Sequence, residues 1–369
     1  TGAHYQCLIS RKGCVKNSPY RNPSGDDYHQ RNNVTLLHGF PLFHKYSEYS
    51  ICQSGSLTST KYQQNPKIYV SNHTIDVWLR YAMVKSTSCI TIDFMNMSQL
   101  TERTFTPSES LSSLSLFLSL ARGQCRPGKF WHRRSFRQKF LLRSLIMPRL
   151  SVEWMNELSH WPNLNVLLTR QPRLPVRLHR PYLAANLSRK QLLEALRYHY
   201  ALLRGCMSAE EFSLYLNTPG LQLAKLEGKN GEQFTLELTM MISMDKEGDS
   251  TILFRNSEGI PLAEITFTLC EYQGKRTMFI GGLQGAKWEI PHQEIQNATK
   301  ACHGLFPKRL VMEAACLFAQ RLQVEQIIAV SNETHIYRSL RYRDKEGKIH
   351  ADYNAFWESV GGVCDAERH

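Results

Sequence analysis

The chain has 369 residues and a mass of 42.6 kDa, with 42% hydrophobic and 21% charged residues, which suits two or three domains and excludes a fibre or a wholly disordered chain. Lys and Arg number 45 against 32 Asp and Glu, a net charge of +13. No apolar run reaches the roughly 18 residues of a membrane span, and no basic-then-apolar leader opens the sequence, so a cytoplasmic protein is expected.

The charge is concentrated. Between Arg122 and Arg204 there are 17 Lys and Arg against three carboxylates, Glu153, Glu157 and Glu194, while the rest of the chain is about neutral. Such a segment calls for an anionic partner: nucleic acid, anionic lipid headgroups or a phosphorylated substrate. Ten cysteines, at positions 7, 14, 52, 89, 125, 206, 270, 302, 316 and 364, form no CxxC pair and no Cys/His spacing for tetrahedral zinc. No metal site is expected, and reduced thiols are favoured over disulfides.

Residues 1–121 are rich in Ser, Thr, Asn, Tyr and His, with turn signals such as Asn22-Pro23-Ser24-Gly25 and no sustained period. They are expected to be a poorly ordered extension or the product of a reading frame extended upstream. Asn33-Val34-Thr35, Asn72-His73-Thr74 and Asn96-Met97-Ser98 match the glycosylation sequon, which is silent without export.

A basic helical region is expected over 122–218. Arg126 to Arg149 interleaves Phe130, Trp131, Phe136, Phe140 and Leu141 with cations. This reads as an amphipathic interfacial helix or a nucleic-acid-binding arm, or as a basic-faced helix packed on its own domain. Arg133, Arg134, Arg137, Lys139 and Arg143 are the candidate contacts to an anionic partner. Arg338 and Arg341, from a second basic cluster running from Tyr337 to Arg343, join them as lining of an anionic site or as a solvated face. Ser151 is a candidate N-cap for a short helix through Met155 and Leu158 that Pro162 stops. Ser188-Arg189-Lys190-Gln191 and Ser208-Ala209-Glu210-Glu211 are capping boxes; Leu192, Leu193, Leu196, Tyr200 and Leu203 form the apolar stripe of the first helix, closed by Gly205.

An α+β core is expected over 219–369. Phe234, Leu236, Leu238, Met240 and Ile242 alternate as in a half-buried strand. A turn at Lys246-Glu247-Gly248-Asp249, a strand over Thr251 to Arg255, and strands through Ile265, Phe267 and Leu269 and over Thr277 to Leu283 complete an antiparallel meander. Glu294 to Cys302 and Lys308 to Arg321 read as helices, and Val324 to Val330 as a fully buried strand. The fold class is α+β with a mixed, mostly antiparallel sheet. Asp352, Tyr353, Phe356 and Trp357 have the spacing of a packed C-terminal helix.

Four stretches carry a family resemblance: FIGGLQGA at Phe279 to Ala286, ATKACHGLFPKRLVMEAACLFA at Ala298 to Ala319, AVSNETHIYR at Ala329 to Arg338, and DYNAFWESVGG at Asp352 to Gly362. They resemble the VirK/YbjX family of Gram-negative bacteria, over a region from about residue 125 to the C-terminus. The resemblance implies a virulence-associated protein that supports intracellular survival and antimicrobial-peptide resistance through the cell envelope. The order of strand, Gly-rich turn, basic loop, long helix and buried strand is also similar to the acetyltransferase (GNAT) core, which implies acyl-CoA as cofactor. Its phosphates would sit at His303, Gly304, Lys308 and Arg309, with Pro307 in the first helical turn. Some 20 residues separate Leu283 from Lys308 and only one glycine stands near the helix, a departure from that superfamily's short Gly-x-Gly loop.

His303 and His335 are candidate general acids or bases, or structural hydrogen-bonding residues. Ser331 and Asn332 stand at a sheet end where ligands bind, or serve as cap and turn residues; Gln284 marks a bulge beside a pocket or an exposed strand end. No Ser-His-Asp order, Walker loop or HExxH is present. Three readings remain open: an envelope interaction protein, peripheral to the inner membrane, whose basic segment meets anionic lipid or another envelope component; an acyltransferase; and, on charge alone, a nucleic-acid-binding protein.

Overall fold

A computed structural model of the chain describes residues 112–161, 164–217, 219–241, 243–342 and 352–364. The expected extension up to residue 111, its sequons and its four cysteines lie outside the described residues, as do Pro162, Ile242 and Arg343.

The described residues open before the basic region, with helix α1 (Ser113–Arg122). Its Leu-Ser alternation mimics a strand period, yet Leu116 and Leu120, one helical turn apart, are the positions buried. A 3₁₀ turn (Lys129–His132), α2 (Arg134–Ile146), α3 (Pro148–Ser159) and α4 (Leu164–Arg170) follow. Ser151 is not an N-cap. It lies inside α3, which starts at Pro148, a residue suited to the first turn because it has no amide hydrogen to leave unbonded.

A buried 3₁₀ segment (Leu174–His179) leads to α5 (Arg189–Cys206) and α6 (Ala209–Leu216). Both start with capping boxes, Ser188 with Gln191 and Ser208 with Glu211, as the sequence predicts. Gly205 does not close α5; the helix runs one residue further and its cap is Met207.

Among the described residues the sheet has six strands, in the order β1 (Leu221–Glu227), β2 (Gln233–Thr239), β3 (Ser250–Asn256), β4 (Pro261–Tyr272), β5 (Lys275–Gly285) and β6 (Gln326–Ala329). Neighbours from β1 to β5 are antiparallel, and β6 runs parallel to β5. The meander therefore has one strand more than the period-two pattern shows. A register shift between Gln222 and Ala224 breaks the alternation of β1 and hides it. Parallel pairing needs a crossover, supplied by α7 (His292–Ala301) and α8 (Pro307–Arg321). β6 is an edge strand, half-buried along its four residues rather than fully buried. The short helix α9 (Tyr353–Ser359), capped by Asp352, closes the described chain with Tyr353 and Trp357 buried; Phe356 is half-buried.

β4 explains how the layers stack. Successive strand residues face opposite sides: Phe267 meets Phe318 of α8, with ring centroids 6.0 Å apart, while Thr268 bonds to Tyr182 of the N-terminal region at 2.6 Å. The sheet is thus covered on both faces, by the crossover helix and by the helices of the basic region.

Candidate functional site

The turn between β2 and β3 is buried. Asp245, Glu247 and Asp249 are each at most 2% exposed. Such carboxylates persist in a core only when paired or protonated, and both solutions occur here. The 3₁₀ segment supplies the cations. Arg177, fully buried, donates from Nη2 to Asp249 Oδ1 at 3.0 Å and to Gln171 Oε1 at 3.1 Å, and from Nη1 to the Asp245 carbonyl. Asp245 Oδ2 lies 2.5 Å from Arg180 Nη2 and 3.5 Å from both Arg173 Nη1 and Arg177 Nη1. Tyr200 donates to Asp249 Oδ1 at 2.9 Å, and Tyr182 donates to Oδ2. Burial works to raise the Asp245 pKa, but Arg177, Arg180 and Arg173 outweigh it and hold the carboxyl below its usual value.

Glu247 takes the other course. Burial raises its pKa to about 8, and Oε2 has no hydrogen-bond partner. It lies against a bulge in β5, where Thr266 pairs with Gly282 and Phe267 with Ile280, leaving Gly281 over. A Cβ on Gly282 would overlap the Glu247 carboxylate, and one on Gly281 would overlap the Glu247 carbonyl oxygen.

Arg173 and Arg180 also line a cavity of about 280 Å³, together with Arg143 of α2, Lys246 and Arg341. The Arg173 guanidinium sits 4.0 Å over the Phe130 ring, and Lys246 Nζ lies 5.2 and 5.3 Å from the Tyr337 and Tyr342 ring centres. Neither Arg143 nor Arg341 has a carboxylate partner among the described residues. Partial burial and then the Arg341 charge lower the pKa of both Arg143 and Arg189. Along α2, Leu141, Leu142, Leu145 and Ile146 are exposed, at 42, 59, 68 and 68%. It buries only Phe140 and Ser144.

A family model described as "Protein of unknown function (DUF535)" matches residues 129–369, a span that contains all four stretches of the VirK/YbjX resemblance. The chain belongs to the DUF535 family. Over 287 residues it is 99% identical to "Uncharacterized protein YbjX" of Escherichia coli (strain K12), covering 78% of this chain and 87% of that relative. No solved structure matches the chain.

The DUF535 fold brings together two residues from opposite ends of the basic clusters, Arg143 and Arg341, in one cavity. The other predicted anionic contacts stand apart from it. Arg133, Arg134 and Lys139 are exposed around α2. Arg137 donates to the Trp131 carbonyl at 2.7 Å and Arg338 to the Asn332 carbonyl at 3.0 Å.

His303 and Gly304 lie in an exposed turn before α8, both with positive φ (54° and 85°). Arg309 is bound to Glu313 at 2.9 Å and to the Ser359 carbonyl at 3.2 Å. Lys308 is half-buried, its pKa lowered by desolvation. Ser331 and His335 are buried. The Ser331 hydroxyl engages Thr334 at 3.1 Å, while His335 Nδ1 accepts the Tyr337 amide at 3.3 Å and its ring stacks on Tyr353. Burial drops the His335 pKa to about 4.

Two other Ser–His pairs are close, and neither activates a nucleophile. His199 Nδ1 accepts the Leu269 amide, which places the ring proton on Nε2, the atom 3.0 Å from Ser250 Oγ. Ser151 donates its proton to the Met147 carbonyl at 2.8 Å and so receives from His179 Nε2. Among the described residues no group of His, Cys, Asp and Glu could hold a metal ion, and all six described cysteines are free.

The carboxylate turn was missed because Lys-Glu-Gly-Asp reads as a solvated hairpin tip. A signal was present: Met240, Met241 and Met244 make the connection too apolar for an exposed turn.

Proposed function

We propose that this DUF535 protein is an interaction protein of anionic membrane surfaces, docking through α2. One observation carries the reading: four adjacent exposed aliphatic side chains, Leu141, Leu142, Leu145 and Ile146, lie in a segment, Arg126 to Arg149, with eight Lys and Arg and no carboxylate. Aliphatic residues set among cations suit the headgroup boundary of an anionic leaflet, where each Lys or Arg near the surface contributes about 1 kcal/mol. They do not suit a nucleic-acid backbone, which the cations alone would serve. No helix among the described residues is long and apolar enough to cross a membrane, so attachment would be peripheral. In this reading the envelope role implied by the VirK/YbjX resemblance, in antimicrobial-peptide resistance and intracellular survival, is exerted from the cytoplasmic face of the inner membrane.

Co-sedimentation with phosphatidylglycerol vesicles tests it. Binding is expected to fall steeply with salt, to be absent on phosphatidylcholine, and to weaken in a Leu142→Ser, Leu145→Ser, Ile146→Ser variant whose unfolding temperature is unchanged. Equal binding to both lipids, or none, overturns the reading.

A second reading, a GNAT-like acyltransferase, is supported by the parallel β5–β6 pair joined through α8 and by the β5 bulge at Gly281. The first turn of α8 has no side-chain cap on its amides, and Lys308 Cε packs close to Gly285 at the end of β5. These groups would receive the phosphates of an acyl-CoA. The loop length that departs from that superfamily is filled by α7. A stabilisation by acetyl-CoA that Lys308→Ala and Arg309→Ala abolish is the expected result; no stabilisation by any acyl-CoA defeats it.

A further inference from the structure

We infer that the cavity between α2, the 3₁₀ segment and the turn at Arg341 is a binding site for a phosphate monoester. This goes beyond the bilayer reading, because it stands on the cavity and not on the exposed leucines of α2.

The charge count comes first. Five cations line the cavity, Arg143, Arg173, Arg180, Lys246 and Arg341, and no carboxylate among the described residues does. Asp245 behind them carries one negative charge and is already shared among Arg173, Arg177 and Arg180. The arginines alone leave a surplus that exceeds what one monovalent anion would offset, and a phosphate monoester approaches two negative charges near neutral pH.

The shape of the donors comes second. The four guanidiniums reach the cavity wall from α2, from the two ends of the 3₁₀ segment and from the turn at Arg341, an arrangement that suits the several acceptor faces of a tetrahedral phosphate better than a flat carboxylate.

The site is also built before any ligand arrives. Arg180 is 8% exposed and anchored to Asp245, its Nε is buried without a partner, and Arg173 is fixed by the Phe130 ring. Preorganised donors of this kind lose little entropy on binding. The cations of Arg143 and Arg341 meanwhile repel one another, a cost that an anion between them relieves. The volume, about 280 Å³, is at the small end of ligand pockets and admits a phosphate with a compact ester group.

The ester could be a soluble metabolite or the headgroup of a lipid such as phosphatidic acid; both present the same chemistry. The full chain is titrated with glycerol 3-phosphate at constant ionic strength, with dimethyl phosphate, a singly charged diester, as control. A saturable rise in unfolding temperature is expected for the monoester and not for the diester. In an Arg143→Ala, Arg341→Ala variant the affinity should fall by about tenfold per arginine removed. Arg143 is half-buried and Arg341 exposed, and Arg341→Gln alone serves if the double variant folds poorly. The Leu142→Ser, Leu145→Ser, Ile146→Ser variant should keep the full response, which separates this site from the bilayer reading.

Vesicles of phosphatidic acid against phosphatidylglycerol then assign the source. A preference for phosphatidic acid that vanishes with the arginines points to a lipid, and equal binding alongside the soluble response points to a metabolite. No saturable rise with glycerol 3-phosphate, or the same rise in the arginine variant, overturns the proposal.

Discussion

Arg177 and Asp249 meet at 3.0 Å with neither side chain exposed to solvent. A buried pair of this kind is costly to break from one side, because the remaining charge is stranded. Arg177→Met should therefore destabilise the chain by about 3–5 kcal/mol, seen as a lower urea midpoint. Adding Asp249→Asn should cost less than the sum of the two single changes. Full additivity would show that the pair is not coupled.

Stability should pass through a maximum near pH 6.5. His179, His199 and His335 titrate at about 4 when folded, against 6.5 ordinarily, since burial opposes their charge. The unfolded chain takes up these protons first, so stability is lost as pH falls from 6.5 through 4. Glu247 works in the other direction. Its folded pKa of about 8 lies above the ordinary 4.5, so the unfolded chain releases its proton first and stability is lost as pH rises from 4.5 to about 8. Glu247→Gln should remove the decline between pH 6.5 and 8 and steepen the acid limb between 4.5 and 6.5, where the Glu247 slope opposes that of the histidines. Denaturant midpoints from pH 4 to 8 check both limbs.

Gly282 and Glu247 compete for one space. Gly282→Ala should cost about 1–3 kcal/mol or more through overlap with the carboxyl, and Glu247→Ala in the same chain should recover part of that loss. Gly281→Ala should not be rescued, because it meets the Glu247 carbonyl, which no side-chain change removes. Thermal unfolding of the four variants decides it.

Trp357 is buried and its Nε1–H donates to the Val330 carbonyl at 2.8 Å, which fixes α9 to the end of β6. Trp357→Phe should cost about 1 kcal/mol for the hydrogen bond, and Trp357→Ala about 3–5 kcal/mol for the cavity left behind. Equal effects of the two would mean that packing contributes nothing.

What was legible in the sequence was whatever a local rule determines. The capping boxes at Ser188 and Ser208, the apolar stripe of α5, the β2 to β5 alternation and the α8 face all depend on neighbours within a few residues. β1 was not, since one bulge shifts its phase; nor was α1, whose alternating serines imitate a strand. The site was half legible. Arg143 and Arg341 stood out as members of basic clusters, but 198 positions apart they gave no hint of sharing a cavity. Arg173, Arg177 and Arg180 belonged to the basic segment expected to meet an anionic partner, and only the fold shows them matched to Asp245 and Asp249. Partners brought together over some 70 residues leave no periodic trace.

The sheet ends on a bulged strand and on its shortest one. β1 is bulged and turns Lys225 and Glu227 to solvent, and β6 offers only four residues. Neither border presents a long flat row of free amides and carbonyls, so recruitment of a foreign strand, the first step toward aggregation, finds little template on this molecule.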